Sequence, residues 1–417
     1  MKILTLLSLV ILITACSAPK QSDEPSSTAF VNATIIDGTG SSPIQNGVLI
    51  IQNSRIKAVG PKDSTPVPGN ATVVDMQGKF IIPGLINAHG HVGEVKGIEG
   101  GHYSKENVID NLAIYARYGI TTVVSLGGDK KEAEDVRAVN DTLPNKHARL
   151  YIAGEVINDV AVVDSNKAMG VDWMKIRVDD NLGTGKKMSE DSYKAIIARS
   201  HEVGYKIATH MYYLDDAKKL LRAGSDMMAH SVRDKPVDEE FITLIKERNV
   251  CYCATFTREL STFVYGETPE WFNDPFFTKE YDSATIAPLK DPKRQEGVRN
   301  NKNGQTYKKQ LPVAMANLKT LSDQGIRIAF GTDTGVPTRF LGYFEHIEMA
   351  MMAEAGLTPM QILVSATKTA ADCMELKDVG TLEAGKWADF VILKADPLQD
   401  IKNTRSIESV WIGGKSL

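Results

Sequence analysis

The sequence predicts an α/β chain: a (β/α)8 TIM barrel with a small β-sandwich domain formed by the N- and C-terminal segments. Three observations predict it. From about residue 80, eight short apolar runs alternate with stretches of helical periodicity over about 290 residues, as a strand–helix barrel requires. Both flanks of that region are β-rich instead. The chain has 417 residues, which suffices for such a barrel and a small second domain.

The N-terminus reads as a targeting segment. Lys2 precedes an apolar run over residues 3–13, shorter than the ~20 residues a spanning helix needs. The run ends in Ile13-Thr14-Ala15-Cys16, which resembles a bacterial lipobox. The resemblance implies removal of residues 1–15 as a lipoprotein signal peptide and a membrane anchor by lipidation of Cys16. An ordinary secretory signal with a chance cysteine is the alternative. Ser17, by similarity to Gram-negative lipoproteins, points to the periplasmic face of the outer membrane. Residues 16–28 are rich in Ser, Pro and Gln and read as a flexible tether.

Residues 29–82 and 375–417 are assigned to the β-sandwich. Strands are expected at 30–36, 47–51 and 56–59, separated by turn residues such as Asp37-Gly38 and Gly60-Pro61, and again at 387–393 and 407–412. Residues 83–374 are assigned to the barrel. Its strands are expected within 80–91 and at 119–125, 149–154, 171–176, 205–210, 225–230, 249–254 and 325–330. Segments 192–203 and 214–223 show helical periodicity. The connection 257–312 is unusually long and carries Trp271, Phe272, Phe276, Phe277 and Tyr281. A loop of that length and aromatic density is expected to cover a substrate; an insertion packing on itself is the alternative.

Charged residues make up 24% of the chain and the net charge is −4, with no basic block, so nucleic acid is excluded as an expected partner. Beyond Cys16 there are three cysteines, Cys251, Cys253 and Cys373. The odd count argues against a disulfide framework, and Cys251 and Cys253 are expected to be small apolar core residues.

The chemistry gathers at the ends of the expected strands. His89 and His91 close the first, spaced i, i+2, so both side chains face one way and are able to converge on one metal ion; two polar residues at a strand end is the alternative. The fourth run carries Lys175, the fifth ends at His210, the sixth at His230, and Asp333 follows the eighth. C-terminal strand ends form the active site of a barrel, so these elements aim charged or metal-binding groups at one mouth. His102, His147, His201 and His346 fall in loops or helices and are left outside the set.

This pattern, with Pro83-Gly84-Leu85-Ile86-Asn87-Ala88-His89 and the segment 380–389, resembles the amidohydrolase superfamily, in its binuclear-metal branch. Asp172-Trp173-Met174-Lys175-Ile176 is similar to its prolidase-like and imidazolonepropionase-related groups. The resemblance implies two divalent metal ions, zinc the expected one. His89, His91 and Asp333 would hold one ion and His210 and His230 the other, with a CO2-derived carbamate on Lys175 as the bridge. Elementary chemistry agrees: a buried lysine loses its proton readily, and a neutral amine adds CO2. Pairing of Lys175 with an acid such as Asp179 is the alternative.

The implied activity is metal-dependent hydrolysis of an amide or peptide bond by a metal-bridging hydroxide, with Asp333 as general acid and base. The implied substrate is a small molecule or dipeptide, Xaa-Pro-type compound or N-acyl amino acid. Hydrolysis of a cyclic amide, lactone or organophosphate on the same centre, or a non-catalytic binding lipoprotein, are the rivals. Tyr212 is a candidate hydrogen-bond donor to the substrate carbonyl, or else a packing tyrosine. Arg233 is a candidate clamp for a substrate carboxylate through its planar guanidinium. A homo-oligomer is a further candidate state.

Overall fold

The computed structural model describes residues 27–142 and 146–417. The lipobox, the signal segment and nearly all of the tether lie outside the described residues.

The two ends of the chain pair with each other. Strands β1 (Thr28–Ile35), β2 (Ile44–Gln52), β3 (Arg55–Pro61), β4 (Thr72–Asp75) and β5 (Phe80–Pro83) come from the N-terminal segment. The C-terminal segment supplies Phe390–Leu393, Ile407–Ile412 and Lys415–Ser416. All eight strands belong to one hydrogen-bonded sheet. This differs from the expected sandwich. The sheet forks at β1, whose first half runs parallel to β4 and whose last residues pair with β5. Asn32, with φ 60, lies at the irregularity between the two halves. The fork encloses a core of Phe30, Leu49, Ile81, Phe390 and Ile392.

The apolar run that opens the barrel is two strands. After β5, Gly84 breaks the run, and β6 (Leu85–Gly90) turns inward with every residue buried. A Cβ at Gly84 would lie 2.0 Å from Thr121 Oγ1, so only glycine allows this approach. The barrel-like part continues with β7 (Ile120–Ser125), β8 (Arg149–Ile152), β9 (Met174–Arg177), β10 (Ile207–His210), β11 (Met227–Met228) and β12 (Cys251–Tyr252). All neighbours among them run parallel, in two ladders, β6–β7–β8 and β9–β10–β11–β12. The eighth expected strand is only an isolated bridge, Ile328 to Tyr252, followed by one from Thr334 to Gly90. The α/β order is that of a TIM-barrel-like fold, although a continuous ladder does not encircle it. Helices fill the connections. Glu190–Glu202 is capped by Ser189 on Ser192 N–H, and Leu214–Ala223 ends at Gly224 in the left-handed region.

Two further expectations are corrected. Residues 257–312 do not form an open loop. They fold into short helices, and Tyr265, Phe272, Phe277 and Tyr281 pack with Phe340, Tyr343 and Phe344 on the barrel side. The cysteines are not merely small core residues either: Cys251 and Cys373 form a disulfide, while Cys253 stays free and buried. The odd count misled because the pairing joins β12 to a helix 122 residues on, far beyond any local spacing. A closed loop of that length is worth about 4–5 kcal/mol in the chain-entropy description. The substitution Cys373→Ser is therefore expected to cost about 2–5 kcal/mol in urea unfolding, with an equal loss when the parent is reduced. Matching midpoints for oxidised and reduced parent would contradict this.

Candidate metal centre

β6 brings His89 to the barrel interior and leaves His91 at its rim, half-buried. The turn after the eighth run carries Asp333, whose φ of 60 is tolerated by aspartate. Gly331 lets this turn close on β6: a Cβ there would sit 2.8 Å from His89 Cβ. His91 Nε2 lies 2.8 Å and His89 Nε2 3.5 Å from Asp333 Oδ1. The ligand atoms of His89, His91 and Asp333 all fall within 4.8 Å of one another, a group able to hold a metal ion.

The other predicted residues adjoin it. Lys175 Nζ on β9 is 3.1 Å from His89 Nε2. The His230 ring centroid lies 4.7 Å from that of His89 and 4.2 Å from that of His210, at the end of β10. All six residues thus meet at one mouth. Asp179 does not pair with Lys175; it accepts from His210 Nε2 at 2.9 Å.

The electrostatics are set by burial. Three imidazoles and one amine are buried together beside one carboxylate, so protonation of each opposes that of the others. Burial, then Lys175, holds His89 well below the usual histidine range; burial, then His210, does the same for His230. His210 is lowered to about 3 by burial, and Lys175 to about 8 by burial. These groups are therefore neutral or easily made so, with lone pairs to offer. Burial alone would raise Asp333, but Arg339 beside it and the His91 contact keep it well below the ordinary range.

The tautomers suit a metal. His91 Nδ1 donates to the Gly127 carbonyl at 2.9 Å, which turns Nε2 toward Asp333 Oδ1. Asp179 likewise takes the Nε2 proton of His210 and leaves Nδ1 bare. His89 Nδ1 is buried with no hydrogen-bond partner among the described residues. Nitrogen lone pairs beside a carboxylate are a donor set suited to zinc and related divalent ions.

Arg233 and Tyr212 lie beyond the histidines. Arg233 is buried, with Nη1 donating to the Met211 and Ser231 carbonyls and Nε 3.1 Å from Glu259 Oε1. Its Nη2 has no hydrogen-bond partner among the described residues. Tyr212 stacks on that guanidinium, 4.7 Å from ring centre to Cζ, and its hydroxyl donates to Gln310 Oε1. Arg177 pairs at the surface with Asp179 and Asn181. Several residues had no spacing to reveal them: Arg258, Glu259, Tyr307 and Gln310 from the long connection, and Arg339 on Asp333. Glu345 and Glu348 did leave a signal, as acids three apart among the aromatic and methionine residues of the helix Tyr343–Glu354. A cavity of about 760 Å³ lies between the long connection and that helix, but no candidate metal ligand lines it, and we place the chemistry at the barrel mouth.

Residues 80–417 match the amidohydrolase family. A 5-methylthioadenosine/S-adenosylhomocysteine deaminase of Bacillus cereus (strain 03BB102) is 24% identical over 392 residues, spanning 88% of this chain and 85% of its own. Among solved structures, molinate hydrolase superposes with a TM-score of 0.73 at 20% identity, over 94% of this chain and 95% of its own. A Xaa-Pro dipeptidase with methionine in its active site gives 0.74 at 18%, over 94% and 100%.

The buried histidines imply a pH dependence. His89, His210, His230 and His346 titrate lower folded than unfolded, so unfolding takes up protons below about pH 6.5. Glu345 and Glu348, raised to about 7, and Asp129, raised to about 6, act oppositely. Asp234 is raised as well, but Asp179 and Asp333 are held low and, with the histidines, lose their stabilising contribution as the pH falls. The metal-free protein is thus expected to melt progressively lower as pH falls from 6.5 toward 4, by scanning calorimetry in chelator. A midpoint that rises on acidification would contradict this.

Proposed function

The chain belongs to the amidohydrolase family, and from that premise we propose that it is a metal-dependent hydrolase cleaving the amide or peptide bond of a small substrate with a free carboxylate. A dipeptide, a Xaa-Pro-type compound or an N-acyl amino acid fits. The observation that carries the proposal is the meeting of His89, His91, Lys175, His210, His230 and Asp333, with lone pairs kept bare by burial. His89, His91 and Asp333 would hold one divalent ion, His210 and His230 another, and Lys175, as its carbamate, would bridge them. When bound, such ions supply an activated water and polarise the scissile carbonyl.

The remaining work falls to the chain. Asp333 accepts the proton of the attacking water and passes it to the leaving nitrogen. Arg233 binds the substrate carboxylate through the Nη2 edge left without a partner. Tyr212 supports that guanidinium from below and donates to the substrate carbonyl when its hydroxyl exchanges Gln310 for substrate. Deamination, the activity named for the Bacillus cereus relative, is the second reading and would release ammonia from its substrate. We further propose a lipid-anchored envelope location. The Cys16 lipobox supports it, as does the Cys251–Cys373 disulfide, a bond favoured in oxidising compartments. Mass spectrometry of the mature N-terminus tests it.

Metal analysis beside hydrolysis of dipeptides, N-acyl amino acids, lactones, cyclic amides and organophosphates tests the activity. The variant Lys175→Ala is expected to lose at least about a hundredfold in kcat/KM, equal to about 2.7 kcal/mol, and to recover in part with short carboxylates. Full activity in that variant would refute the bridging role. Arg233→Met is expected to raise KM for free acids at least about tenfold while sparing C-terminal amides.

A further inference from the structure

We propose that Thr255 is the positioning residue for His230 and sets the affinity of the metal position that His230 serves, an inference that rests on the metal-dependent reading above. Thr255 follows β12 and begins the helix Phe256–Leu260 with φ 54 and ψ 47. A β-branched residue in the left-handed region is a true outlier, and such conformations persist only where the surroundings enforce them.

The surroundings here are explicit. A threonine that starts a helix ordinarily turns its hydroxyl onto an amide of the first turn. Thr255 makes no such bond. Glu348 takes that role instead: its carboxylate accepts Phe256 N–H and Thr257 N–H, each at 2.7 Å, and Thr257 Oγ1 at 2.8 Å. Relieved of capping, the Thr255 hydroxyl faces His230, with Oγ1 2.7 Å from Nδ1. Thr255 is itself fully buried, so water cannot replace it.

The consequence is chemical. A metal on His230 requires Nε2 bare, so Nδ1 must carry the proton and needs an acceptor. When Nδ1 carries the proton, Thr255 Oγ1 is the acceptor, and the contact holds the ring in its direction toward His89 and His210. Three elements thus act in series: a carboxylate caps a helix, the cap frees a hydroxyl, and the hydroxyl orients an imidazole.

The experiment titrates cobalt(II) into metal-free protein with bicarbonate present, read by visible absorption. Thr255→Ser keeps the hydroxyl, Thr255→Val keeps the strain without it, and Thr255→Gly removes both. Thr255→Ser is expected to bind as the parent does. Thr255→Val and Thr255→Gly are expected to lose about 10–100-fold for one of two ions, and to the same extent as each other. Calorimetry on the metal-free variants confirms that each is folded. A merely structural role would separate Thr255→Val from Thr255→Gly, because only one retains the strain; that result would overturn the proposal. Parent-like cobalt binding by Thr255→Val would overturn it alone, whereas a parent that binds no cobalt would overturn the metal reading as well.

Discussion

Glu345 holds together what the backbone ladder leaves nearly open. Its Oε1 accepts from Asn87 Nδ2, Thr332 Oγ1 and Thr334 Oγ1. Asn87 lies two residues before His89, and Thr332 and Thr334 flank Asp333. The chain between 326 and 334 meets β6 through one bridge and a few backbone bonds, such as Ala88 N–H to Phe330 O at 2.8 Å. Side-chain hydrogen bonds to one buried carboxylate therefore register two ligand-bearing segments against each other. Hydrogen bonds to a charged group contribute about 1.5–3 kcal/mol each, more than neutral ones, which favours an acid over an amide here. Glu348, one helical turn on, serves the β12 turn in the same way.

The helix Tyr343–Glu354 is thus a scaffold for chemistry that it never touches. Its acids lie under the mouth and its aromatics face outward, where Tyr343 and Phe344 join the cluster with Phe272 and Phe277. Placing two carboxylates in the core is costly, and burial raises both to about 7. Threonine, asparagine and amide donors serve them, and Glu345 Oε2 has no hydrogen-bond partner among the described residues. A cation there would compete with a metal for the same field. Arg339 binds Asp333 Oδ2 and leaves Oδ1 to the histidines.

Much of this was legible in the sequence because the ligands sit at strand ends, where an apolar run stops on a polar residue. His89, His210 and His230 show that signature, whereas Lys175 stands out as a charged side chain buried between Met174 and Ile176. The residues that orient them do not. Thr255 and Glu348 are 93 positions apart by number, yet Glu348 caps the helix that Thr255 begins, and no local spacing betrays such a partnership. The Phe80–Pro83 and Leu85–Gly90 strands read as one run because Gly84, the only break, is a single residue whose need for a missing Cβ arises from Thr121 on a neighbouring strand. The eighth strand was expected from composition, and its residues are buried as a strand's would be, but Gly331 and the left-handed Asp333 turn the chain out of register. The aromatic density of 257–312 had two readings, and packing on the barrel side took those rings.

That outcome relocates substrate recognition. The long connection contributes to the site through its polar ends, not through its aromatic middle. Arg258 and Glu259 lie at its start, and Tyr307 and Gln310 lie on its last helix, Lys302–Asp323. Glu259 bridges Arg233 and Arg258, and Tyr307 stacks 4.5 Å from the Arg258 guanidinium. Two arginines sharing one carboxylate leave a surplus of one positive charge in a buried corner, which the carboxylate of the proposed substrate would balance. The metal ligands come from the barrel strands and fix the reaction class. The arginine charge proposed to select among substrates comes from segments outside the candidate metal ligands, so one could change without disturbing the other.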